Sequence, residues 1–202
     1  MGNHADKPSG FTVWGNLLRE RLYMVQTLPT IHVYHGDAVI HGGAIVISEH
    51  GGINIIADAA VPDGSAGLLG AVTCVMDHDM NPISHIVALT VGDTIAAGYV
   101  MVADHPDQEF IGQEDCVTNP IALAEGGMNA NIQSPTICLG DVKTGLSGQE
   151  IESHSALHSV ALQLKLHYPH PEDTIPGTLN TNHPRWIVTF NEHYYGDTMA
   201  GL

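Results

Sequence analysis

The sequence predicts a mainly β protein: a single-domain β-barrel or β-sandwich, with a jelly roll among the options, and an extended N-terminal arm. Three observations carry this. Short β-branched and apolar segments recur, bounded by Gly, Pro, Asn and Asp. Residues 159–168 alternate strictly between apolar and polar. Helical periodicity is weak throughout. With 202 residues and 44% apolar content, the chain can bury one sizeable core.

Taken in order, residues 1–29 form the expected arm, and residues 30–202 the β-rich domain. The arm holds Phe11, Val13, Trp14, Leu17 and Leu18 among prolines and glycines. Its residues 16–24 are the best helix candidate in the chain. Residues 30–35 read as a strand ended by Gly36-Asp37. Residues 44–48 and 53–57 read as a hairpin around His50-Gly51-Gly52. Residues 68–76 are an apolar run, followed by a turn over 77–82. Strands are expected over 84–91, 99–103 and 110–113.

Long loops are expected at 117–158 and 169–184, with one strand at 137–139 and one helical turn at 153–158. The clearest strand is 159–168. Period 2 places Val160, Leu162, Leu164, Leu166 and Tyr168 on one face, and such a period cannot form an amphipathic helix. Residues 185–190 repeat the pattern with Trp186, Val188 and Phe190.

Charge excludes some partners. Asp and Glu number 22 against 6 Lys and Arg, for a formal charge of −16. Six scattered cations cannot build a nucleic-acid face, and an anionic membrane would repel the chain. No apolar run reaches the length of a membrane helix. The polar opening segment is not expected to be a secretory signal. Cys74, Cys116 and Cys138 are odd in number and widely spaced, so they read as reduced, buried thiols.

Catalytic signatures are not found. There is no G-x-S-x-G, no phosphate-cradling glycine motif and no H-E-x-x-H. Fourteen histidines invite a metal reading. His32 and His35 would lie on opposite faces of a strand, and no H-x-H exists for a cupin-like site. Asp77-His78-Asp79 sits in a turn that could lend one ligand to a hard cation. The densest acidic cluster is Asp104-His105-Pro106-Asp107-Gln108-Glu109, followed by Glu114-Asp115. It has calcium-like oxygen density but lacks the glycine of a calcium loop. It reads as a solvated acidic loop stiffened by Pro106, and no metal or cofactor is expected. Protonating all fourteen histidines would move the charge from −16 to −2, mostly between about pH 7.5 and 5.5, so self-association should rise there.

Several pieces carry a resemblance. Gly36-Asp37-Ala38-Val39 leads into a Gly-rich hairpin, and Leu68-Leu69-Gly70-Ala71-Val72 follows. Residues 102–115, 144–151 and 186–193 complete the order, with Gly10-Phe11 at its start. The most specific stretch is D-x-P-x-x-x-F-x-x-Q-E-D in residues 104–115. This order resembles the capsid cement, or head decoration, proteins of tailed bacteriophages.

The resemblance implies a non-enzymatic virion protein, made in the host cytoplasm and seated on the outer capsid surface. It implies a homotrimer that clamps adjacent subunits of the major capsid protein against packaged DNA. The arm, through Phe11, Val13, Trp14, Leu17 and Leu18, is the expected capsid contact. The alternative from the residues alone is a metal-dependent cupin-like β-barrel enzyme or a glycan-binding module, motivated by the histidines and the acidic cluster.

Overall fold

A computed structural model describes residues 8–25, 32–42, 52–55, 67–86, 98–116, 120–133, 140–153, 162–175, 178–179, 183–191 and 193–196. The fold is mainly β, with largely antiparallel pairing. Its strands are β1 (Thr12–Val13), β2 (Glu20–Val25), β3 (Val33–Tyr34), β4 (Ala38–Gly42), β5 (Gly52–Ile55), β6 (Leu68–Met76), β7 (His85–Ile86), β8 (Gly98–Ala103), β9 (Phe110–Gln113), β10 (Asn129–Ala130), β11 (Leu164–Pro169), β12 (Thr174–Ile175), β13 (Thr178–Leu179) and β14 (Arg185–Phe190).

Barrel and sheet are both present. Strands β2-β5-β4-β6-β8 close a barrel, with only β2 and β5 parallel. Strands β1-β9-β14-β11-β10 form an antiparallel sheet. Closure removes the unpaired edges that an open sheet would present.

The barrel interior is a buried cluster of Tyr23, Val25, Val39, Leu69, Val72, Val75, Val100 and Val102. Val33 and Ile86, from the β3–β7 ribbon, join it. On β6 the inward residues are spaced by three rather than two. The register of β6 shifts against β4 near Leu69 and against β8 near Thr73. Each bulge adds one residue and resets the alternation.

The second core lies between barrel and sheet. Ala38, Ala71 and Ala103 stand in register across β4, β6 and β8. They form a flat outer wall, and Phe11, Phe110, Trp186, Val188 and Phe190 pack in the same cluster. Phe110 and Phe190 stack at 4.7 Å, and Phe11 meets Phe190 edge-on at 5.5 Å.

Several expectations change. Residues 8–25 are not an arm ahead of the fold, because β1 pairs with β9 and β2 lies in the barrel. Residues 16–24 are not a helix but a loop running into β2. Arg21, Tyr23 and Val25 share a strand face, and the packing of Tyr23 and Val25 overrides any local helical preference. Strand β5 pairs with β4 and β2, and residues 44–48 of the expected hairpin lie outside the described residues, as do 137–139 and 154–158. In β11 a register shift between Leu166 and Tyr168 turns Tyr168 out to 44% exposure. Leu164 and Leu166 keep their buried face, as do Trp186, Val188 and Phe190. Cys74 and Cys116 are half-buried thiols, and Cys138 is not among the described residues.

Candidate functional site

The 104–115 stretch turns inward. Asp104 is fully buried, as is Glu114, and Gln108 and Asp115 are nearly so. Only Asp107 stands out in water, at 87% side-chain exposure. The expectation of a solvated acidic loop therefore fails for the carboxylates at both ends. Their partners come from distant parts of the chain, and a buried charge is tolerable only when so paired.

Asp104 continues the inward parity of Val100 and Val102 and closes one mouth of the barrel. Arg19 Nε donates to its Oδ1 at 2.7 Å, and Arg19 Nη2 to its backbone carbonyl at 2.5 Å. Tyr23 Oη donates to Oδ2 at 2.6 Å. Arg21 Nε stands 3.6 Å from Oδ2. Both guanidinium groups sit over the Tyr195 ring, at 5.1 and 5.3 Å. Burial, then the bond to Asp104, holds the Tyr23 phenol well above its ordinary range. His193 is buried beside this cluster and accepts from Tyr195 N at 3.0 Å through Nδ1. Burial pulls its pKa down to about 4, Asp104 opposing and Arg19 assisting. An ion-pair cluster of this kind is closed: its carboxylate has no side left for a substrate.

Glu114 anchors the other end of the stretch. Its Oε1 accepts from Ile121 N at 2.7 Å, and Oε2 from Trp186 Nε1 at 3.2 Å. Burial raises its pKa to about 7 against these bonds. The neighbouring Cys116 thiol is pushed up to about 12 by burial and by Glu114, which favours the protonated form. Asp115 Oδ1 accepts from Ser153 N at 3.0 Å.

Gln108 lies midway. Its side chain reaches the loop between β1 and β2, where Leu17 and Leu18 are 47% and 52% exposed. Of the residues expected to touch a capsid, only these two stand out in water. Phe11 is core, at 1% exposure, because its ring fills the wall between barrel and sheet. Val13 packs partly on that core, and Trp14 lies edge-on to His170 at 5.0 Å.

A cleft of about 270 Å³ opens nearby, lined by Pro106, Asp107, Thr189, Asn191, His193 and Tyr195 among others. Among the described residues, no three His, Cys, Asp or Glu side chains converge as a metal site. Asp77 instead accepts from the backbone of Asp79 and Asn81, which caps its own turn. His32 and His85 lie 5.5 Å apart, packed with Tyr34.

Sequence reading missed Tyr23, Arg19 and Gln108. A signal was present in part: Arg19, Arg21 and Tyr23 alternate as a strand does, and arginine is scarce in this chain. No known protein family, curated protein or solved structure matches the chain.

Proposed function

We propose that this protein is a structural virion component, a cement protein that docks on the outside of a tailed-bacteriophage head and clamps neighbouring capsid subunits. One observation carries the reading. The stretch with the most specific resemblance, residues 104–115, spends its polar groups on holding the fold and on displaying Leu17 and Leu18. A segment that builds a shape and presents apolar side chains suits an interaction protein better than a catalyst. Strong negative charge suits the outer surface of a shell whose inside holds DNA. A homotrimer bound to the major capsid protein follows from the same resemblance.

Heads assembled without this protein provide the test. The purified chain should bind them to saturation and raise their resistance to heat. Replacing Leu17 and Leu18 with serine should weaken binding without unfolding the protein. Heads that stay bare in the presence of the intact chain sink the reading. A stoichiometric transition metal in the purified protein would turn it toward an enzyme.

The cleft beside Tyr195 favours a second reading, a glycan-binding module. Its lining combines a phenol ring with hydroxyl, amide and carboxylate groups, the usual partners of a sugar. Binding on a glycan panel that is lost in Asn191→Ala would support it, and a blank panel would remove it.

A further inference from the structure

We propose that Gln108 is the positioning residue of the docking tip: its buried amide presets the 14–18 loop, holding Leu17 and Leu18 out for a matching apolar pocket on a shell subunit. The inference rests on the capsid reading above and adds how the contact is made.

The amide of Gln108 is 1% exposed and is used on both sides. Oε1 accepts from Leu18 N at 2.8 Å. Nε2 faces three carbonyls, those of Trp14 at 3.4 Å, Asn16 at 3.3 Å and Glu109 at 3.0 Å. The loop is also tied at each end. Trp14 N donates to Glu109 O at 2.8 Å, and Arg19 is bound to Asp104. Gly15 takes φ +72°, a backbone state that glycine adopts without strain. The loop is therefore held at its start, middle and end by residues 104–109.

Scattered exposed leucines are ordinary. Two adjacent leucines on a loop pinned by a buried amide are a different case. A slack loop would lay them against the nearest apolar surface, and this one cannot. Residues 8–18 contain no ionisable side chain, in a chain of charge −16. The tip is therefore read by apolar shape, not by charge. Its ordering cost is met during folding, so it is not subtracted from the binding free energy.

The test combines hydrogen exchange at the Leu18 amide with binding to undecorated heads. Gln108→Leu removes the staple and leaves the tip residues in place. It should speed exchange at Leu18 and lower affinity roughly tenfold, the scale of re-ordering one or two side chains. Gly15→Ala is the second variant, for use if Gln108→Leu does not fold. An added Cβ there meets nothing within 4 Å, so it disfavours only the preset backbone. It should shift both readouts in the same direction by less.

If Leu17→Ser with Leu18→Ser weakens binding while Gln108→Leu and Gly15→Ala bind like the parent, positioning by Gln108 is overturned and the docking reading stands. If the parent binds heads and the double serine variant binds equally well, the tip is not the contact and the inference falls. Equal Leu18 exchange in the parent and Gln108→Leu overturns the preset loop whatever the heads do.

Discussion

The Tyr23 hydroxyl donates a 2.6 Å hydrogen bond to Asp104 Oδ2 across 81 positions of chain, at the closed mouth of the barrel. It ties the second strand of the fold to the first residue of the acidic stretch. Arg19 and Arg21 complete the arrangement around the same carboxylate.

Removing the phenol oxygen and removing the carboxylate should therefore differ. Tyr23→Phe loses one hydrogen bond to a charged group and should cost about 1.5–3 kcal/mol. Asp104→Ala should cost more than Tyr23→Phe, because Tyr23 and Arg19 both lose a hydrogen bond to the carboxylate. The double variant should cost less than the sum, because both changes act on one cluster. Urea unfolding of the three variants measures this, and strict additivity would show that the cluster is not coupled.

Two buried acids should make the protein less stable as pH rises. Burial raises Asp37 from 3.8 and Glu114 from 4.5, each to about 7. For a group raised in the folded state, the contribution is whole below its unfolded pKa and lost as pH rises through the folded one. Stability should thus fall between about pH 4 and about pH 7 from these two groups. Asp37→Asn keeps an acceptor for Tyr34 N, which bonds Asp37 at 2.8 Å. It should flatten part of that slope, and unfolding midpoints across the range would show it.

The acid side depends on His193. Its pKa is lowered from 6.5 to about 4, so its contribution is present above 6.5 and lost as pH falls through 4. It therefore takes no part in the charge relaxation expected of the histidines near neutral pH. Burial lowers His167 as well. An NMR titration should find the His193 ring neutral at about pH 5.5, where an unperturbed histidine is mostly charged. Light scattering should still rise on acidification as other histidines charge, and a flat trace would reject pH-dependent association.

Gly70 tests the barrel wall. A Cβ there would lie 2.0 Å from the Ala103 carbonyl oxygen and 2.8 Å from Val102 Cγ1. Backbone cannot yield as a flexible side chain does. Gly70→Ala should therefore exceed the usual overpacking cost of about 1–3 kcal/mol. A thermal midpoint close to the parent's would mean that β6 and β8 can separate without loss.

Strand existence was legible where the apolar pattern was long. Residues 68–76, 110–113 and 185–190 are strands with those same bounds. Their parity was legible only where no bulge intervened. Trp186, Val188 and Phe190 keep their face, but the register shift in β11 turns Tyr168 outward. The candidate site was legible as a stretch and not as an arrangement. Gln108 carries no sequence signal for its role, since its partners at Trp14, Asn16 and Leu18 lie some ninety positions away.

A β fold of high acidity with an apolar-rich opening segment can be read from the residues alone, because composition and period 2 are local properties. Long-range packing makes Phe11 core and Leu17 and Leu18 surface, and it buries the acids at the ends of 104–115. The reason is electrostatic. A carboxylate in isolation belongs in water, and only partners as distant as Tyr23 and Trp186 make its burial possible.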